Sequence, residues 1–141
     1  MLGWLYRQAD RLRQRARRRT LPPDQALGRD GEDLAHRYLQ RQGFVIVARN
    51  WTTPSGSAEL DLVAVEGDVL VFVEVKARET DEFGAPDRAI DADKKHQIVR
   101  AAREYLRRSG RDPQKVRYDV VGVVMEPGPV ITHFRDAFEA V

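Results

Sequence analysis

The sequence predicts an α/β fold, a mixed central β-sheet flanked by helices, with elements in the order α-β-β-β-α-β-β. Three observations predict it. Two strand patterns, Glu59–Glu66 and Val69–Arg78, are separated by Gly67-Asp68, a pair suited to a two-residue hairpin turn. Segments with apolar residues at helical spacing lie on either side of that hairpin. Two more strand patterns surround the turn Pro127-Gly128-Pro129 near the end of the chain. Elements in this order pack as layers around one core.

A length of 141 residues fits one domain with a core of its own. With 42% hydrophobic and 33% charged residues, the chain reads as globular. The absence of cysteine excludes disulfides, thiol nucleophiles and cysteine zinc sites, and it fits a reducing compartment. No apolar run approaches the roughly 18 residues of a bilayer span, and residues 1–20 hold no signal-type apolar region. A cytoplasmic protein without a membrane partner is therefore expected.

Residues 1–23 read as a basic arm and residues 24–141 as the folded domain. The arm carries seven arginines against one acid, Asp10, whereas the rest of the chain is mildly acidic. Such an arm is expected to meet a polyanion, through Arg15, Arg17, Arg18 and Arg19. The alternative is a solvated leader. Trp4, Leu5 and Leu12 add an apolar stripe, short for a membrane-surface helix. Leu21-Pro22-Pro23 breaks the chain and offers Asp24 as the cap of a helix from Gln25 to Gln42. Its apolar face is Leu27, Leu34, Ala35, Tyr38 and Leu39. Gly43 suits the position after the helix. Phe44–Val47 reads as a strand and Asn50–Ser57 as a loop. After the hairpin, residues 79–87 form a polar loop and a helix runs from about Arg88 to Arg108. Arg117–Met125 and Val130–Phe134 are the last strands.

The hairpin carries the chemical signal. A regular register about Gly67-Asp68 pairs Val65 with Leu70, Val63 with Phe72, Asp61 with Glu74, and Glu59 with Lys76, all on one face. The other face of the second strand, Val69, Val71, Val73, Val75 and Ala77, is wholly apolar, as in a central strand covered on that side. Opposed carboxylates need a cation or a shared proton. Lys76 neutralises them in part, and a divalent cation with oxygen ligands does so better. Such a set suits phosphodiester hydrolysis. Asp61 and Glu74, with the Val75 carbonyl as a further ligand, would hold Mg²⁺ or Mn²⁺. Lys76 would position the attacking water and offset charge. Glu59 is either a fourth carboxylate or the cross-strand partner of Lys76. The competing explanation is a solvated hairpin end, where alternating charge and valine is common.

Other residues read as follows. Lys94, on the apolar stripe of its helix, either snorkels outward or reaches a phosphate. Asp119 reads as a structural bridge to Arg117 or Arg78. Trp51 reads as packing or as a base-stacking residue. His36, His96 and His133 are too scattered for a shared ligand set.

Several pieces together resemble a known family. They are Gly31-Glu32, Leu34-Ala35, Tyr38-Leu39, Gly43-Phe44, Arg49-Asn50, Glu59-Leu60-Asp61-Leu62, Phe72-Val73-Glu74-Val75-Lys76 with Arg78, Phe83-Gly84, Lys94, Ile98, Ala102, Tyr105-Leu106 and Arg117-Tyr118-Asp119-Val120-Val121. In order and spacing, residues 28–125 resemble the YraN-type family of small bacterial proteins. These have the restriction-endonuclease-like, or PD-(D/E)XK, core and are similar to archaeal Holliday-junction resolvases. The resemblance implies a restriction-endonuclease-like core and a divalent-metal-dependent endonuclease acting on structured or branched DNA. A catalytically silent nucleic-acid-binding protein is the alternative. It further implies that Glu32 faces the metal site from the first helix, with Gly28 and Gly31 letting that helix sit close to the sheet. Arg78 and Lys94 join the candidate nucleic-acid contacts, DNA more than RNA, and a homodimer is expected by analogy. The family has glycine before the Glu of its Glu-x-Asp strand, and this chain has Ala58. Residues 1–23 lie outside the resemblance.

Overall fold

The computed structural model describes residues 2–140, and the Arg18 side chain, with the role expected of it, lies outside the described residues. The elements are α1 (Leu2–Thr20), α2 (Pro23–Arg41), β1 (Val45–Thr52), β2 (Glu59–Glu66), β3 (Val69–Arg78), α3 (Ala92–Ser109), β4 (Val116–Val124) and β5 (Val130–Phe138). The strands form one mixed sheet in the order β1-β2-β3-β4-β5. β3 and β4 are parallel and the other neighbours antiparallel. The α/β class and flanked mixed sheet are as expected, with α1 added at the front.

β3 is central, and each of its faces is covered by one helix. Val71 and Val73 pack with Ala35 and Leu39 of α2. Leu70 and Phe72 pack with Ile98 and Ala102 of α3. Each such fully buried aliphatic side chain contributes roughly 1.5–3 kcal/mol. Gly31 sets how close α2 comes, because a Cβ there would lie 2.5 Å from the Ala77 Cβ. Gly28 has nothing within 4 Å of the equivalent position, so it plays no part in that approach. Among the described residues, no helix is long and apolar enough to cross a membrane.

Four boundaries differ from the sequence reading. Residues 2–20 form a helix, docked on α2 by ion pairs and by the Tyr6 ring under Arg37. Arg17 bonds Asp33 at 2.6 Å and Asp30 at 3.4 Å, while Asp10 meets Arg13 and Arg37. β1 continues through Asn50 and Trp51, expected in a loop, because pairing with β2 carries the segment through Asn50 in a left-handed conformation. Trp51 packs edge-on against Tyr105, with centroids 5.4 Å apart. α3 begins later than expected, where the Asp91 side chain accepts the Lys94 N–H at 2.8 Å and caps the helix. β5 runs on to Phe138, past a register shift opposite Tyr118 and Val120.

Candidate functional site

The hairpin register is the predicted one as far as it goes. Val65 faces Leu70 and Val63 faces Phe72, but the ladder stops at Leu62 and Val73. Beyond that point the Asp61 carboxylate accepts the Val75 N–H at 2.9 Å. A side chain thus satisfies a donor on the central strand and holds Asp61 against β3.

Asp61 and Glu74 meet there, close enough for each to shift the other's pKa. Glu74 is only 9% exposed. Its burial, and then the charge of Asp61, push its pKa up to about 8, against a smaller pull from Lys94. Burial also raises Asp61, and the Val75 N–H offsets part of that rise. Glu32, on α2 and 5% exposed, is pushed up to about 7 by burial and then by Asp61. Arg29, 3.0 Å from Glu32, works in the other direction. A cleft of about 210 Å³ beside these groups is lined by Gln25, Gly28, Arg29, Glu32, Glu59 and Asp61. Gly28 therefore lines the opening, where a side chain would project into the cleft. Among the described residues, no three His, Cys, Asp or Glu side chains are gathered closely enough to hold a metal ion. The carboxyl chemistry fits a hard divalent cation, while the assembled ligand set stops at a pair.

The remaining expected residues divide sharply. Lys76 turns away from the acid pair. Its ammonium donates to the Asp87 carboxylate at 2.8 Å and to the carbonyls of Ala89 at 2.9 Å and Asp87 at 3.2 Å. Lys94 is the ammonium beside the pair, 3.5 Å from Glu74. Glu59 is not the partner of Lys76; it lies 3.6 Å from Arg29. Arg78 donates to the Gly84 carbonyl at 3.3 Å. Arg17 points inward to α2, whereas Arg15 and Arg19 are exposed and make no ion pair among the described residues. Asp119 bonds Arg117, as one of its two expected partners, and also His133 at 2.7 Å.

Two supporting residues escaped the sequence reading. Arg49 of β1 bonds Asp33 at 2.6 Å and the Arg29 carbonyl at 3.2 Å, clamping the turn of α2 that carries Glu32. Asp87 holds Lys76. Nothing in sequence spacing marks either pairing. The Arg29–Glu32 pair does follow the helical i, i+3 rule.

Residues 31–123 match the model of the uncharacterised protein family UPF0102. The chain belongs to this family. UPF0102 is a restriction-endonuclease-like fold group, and Glu32, Asp61, Glu74, Lys76 and Lys94 all fall inside the matched region. A UPF0102 protein of Solibacter usitatus is 49% identical over 138 residues, covering 98% of this chain and all of the relative. One of Rhodococcus jostii is 50% identical over 115 residues, 80% of this chain and 96% of the relative. One of Desulfosudis oleivorans is 42% identical over 116 residues, 82% of this chain and 92% of the relative. α1 lies outside the UPF0102 match but within the reach of the Solibacter match.

Proposed function

We propose that this UPF0102 chain is a divalent-metal-dependent endonuclease that hydrolyses phosphodiesters in structured DNA. The observation that carries this reading is the Asp61–Glu74 pair, a buried Glu74 crowded by a half-buried Asp61, with one lysine 3.5 Å from Glu74. Carboxyls held above their usual range by burial and by a charge partner, beside a cleft, are candidates for a functional site. The donors are all oxygen, which suits Mg²⁺ or Mn²⁺. Asp61 and Glu74 would hold the ion, with Glu32 and the Val75 carbonyl as the further ligands to hand. When bound, such an ion lowers the pKa of a water and offsets charge on the phosphate.

The chain's own groups then divide the work. Asp61 is oriented by the Val75 N–H. Glu32, with its pKa near 7, is poised to take up or release a proton at neutral pH. Lys94 partly neutralises Glu74. Lys76 is held by the Asp87 carboxylate, an anion whose place a phosphate oxygen can take. Arg78 lies two residues further along β3, on the approach.

A second reading is a nucleic-acid-binding protein without turnover. The engagement of Lys76 with three acceptors of the 79–91 loop favours it. Mn²⁺ calorimetry on the intact protein, Asp61→Asn and Glu74→Gln, followed by cleavage assays on branched and flapped DNA, separates the two. Metal binding lost in both variants, with cleavage that needs Glu74, supports the nuclease. DNA binding that persists without metal-dependent cleavage supports the silent binder. Absence of Mn²⁺ affinity both with and without DNA overturns the metal site.

A further inference from the structure

Helix α1 wears its chemistry inside out. The face that meets α2 is polar: buried Asp10 pairs with Arg13 and Arg37, and Arg17 reaches Asp33 and Asp30. Its large apolar residues point to solvent, with Trp4 58% and Leu12 65% exposed. Docking uses Tyr6, whose ring lies under Arg37, and leaves Trp4 and Leu12 outside.

Trp4, Arg7, Arg11 and Arg15 follow one another at helical spacings of three or four, so they lie along one line of the helix. That line is about 16 Å long at ~1.5 Å per residue. All four side chains are exposed. Among the described residues these three arginines make no ion pair, and the sole acid of α1, Asp10, lines the same groove as Arg7 and Arg11 but is taken up by Arg13 and Arg37. Arg7 and Arg11 border a groove shared with Arg37 and Arg41, which also receives Glu79 and Glu126. The helix runs antiparallel to α2: Tyr6 stacks under Arg37 at 4.4 Å, while Arg17 reaches the residues flanking Glu32. The row therefore leads toward the Glu32 end of the candidate site.

We propose that α1 is a nucleic-acid track fastened to the domain by ion pairs. Asp10 and Arg17 dock it, through Arg37, Asp30 and Asp33 of α2, and Arg7, Arg11 and Arg15 hold the phosphate backbone of a strand running toward the site. Arginine's planar fork suits phosphate, and Trp4 offers a face for an unpaired base. The row favours nucleic acid over an anionic membrane, because Trp4 sits among the arginines and not on the Leu5–Leu12 side. This rests on the nucleic-acid part of the reading above and not on its catalysis.

The test uses full-length protein, a labelled branched DNA and EDTA, so that binding is read without chemistry. Anisotropy is followed from 50 to 200 mM salt for the parent and for Arg7→Gln/Arg11→Gln/Arg15→Gln. Each lost phosphate contact lowers the log–log salt slope by about 1, so the slope is expected to fall by about 3 and affinity by at least tenfold. Circular dichroism checks that α1 persists. The chain has two tryptophans, so Trp51→Phe leaves Trp4 as sole reporter, and its emission is expected to change on adding DNA. An unchanged slope, no binding at 50 mM salt, or a Trp4 response to phosphatidylglycerol vesicles and not to DNA overturns the track. Failure of cleavage or of Mn²⁺ binding leaves these readouts unaffected and counts against the nuclease alone.

Discussion

Two buried carboxylate clusters lie in this sheet, and they are built in opposite ways. Asp119 on β4 is 0% exposed and surrounded by donors: Arg117 at 2.8 and 3.0 Å, His133 at 2.7 Å and the Asp136 N–H at 3.0 Å. Burial alone would raise its pKa, but these donors outweigh it and hold it at about 2. Asp61 and Glu74 have each other, one backbone N–H and one lysine at 3.5 Å. Burial wins there, and Glu74 rises to about 8. A carboxylate kept for structure is saturated by the protein's own donors. A pair left short of them is where a cation from outside gains most.

The comparison can be broken at several points, and the largest effect is expected at Asp119. Asp119→Asn leaves Arg117 with Glu66 alone, at 2.9 Å, and deprives the donors around a fully buried carboxylate of their charged acceptor, so urea denaturation should show a loss of about 3 kcal/mol, the lower end for breaking a buried pair. A loss near zero would erase the structural reading of that cluster.

Next is the pH profile, where the two clusters act in opposite directions. The folded pKa of Glu74, about 8, exceeds its ordinary 4.5, so the folded protein keeps a proton that the unfolded chain releases in that window. Metal-free protein should therefore lose stability as pH rises from about 4.5 to about 8, by about 1.4 kcal/mol per pH unit for one proton. Glu32, raised to about 7, adds to the slope below that pH, so Glu74→Gln should reduce the slope and saturating Mn²⁺ should flatten it. Asp119 lies below its ordinary 3.8, so its contribution is present above that value and lost as pH falls toward 2. A flat profile from 4.5 to 8 in the parent protein would sink the crowded-acid account.

Gly31→Ala should cost about 1–3 kcal/mol, since the new methyl meets Ala77 and pushes α2, with Glu32, off the sheet. Weaker Mn²⁺ binding by this variant would tie Glu32 to the pair; unchanged binding would detach it. The smallest stability effect is expected from Asp87→Asn, at an exposed position. Its denaturation midpoint should stay put, while Lys76 becomes more reactive toward amine reagents. Unchanged reactivity would mean that the carboxylate does not restrain Lys76.

Much of this was legible in the residues. The Gly67-Asp68 turn fixes register because side chains alternate with period two, so Asp61 and Glu74 were placed on one face at neighbouring positions, although the ladder itself stops at Leu62 and Val73. The apolar run of one face of β3 announced a central strand covered on that side. The acid pair was readable for the same local reason. Lys76 was not: its residue type and strand face were clear, but its long chain chose between partners, and the loop carrying Asp87 and Ala89 won. Lys94 and Glu74 lie 20 residues apart, and Asp33 meets Arg17 and Arg49 across three elements. No periodicity encodes such meetings.

By itself, then, the sequence determined the hairpin, its register, the central strand, the main helices and the acid pair, all consequences of short-range geometry and apolar periodicity. Only the tertiary structure decided that the arginine-rich arm docks as α1, that Lys94 rather than Lys76 stands beside Glu74, and that Asp119 is saturated while Asp61 is not. Those outcomes depend on which charged groups packing brings within a few ångströms. At that range in a buried site, one donor more or less reverses the sign of a pKa shift.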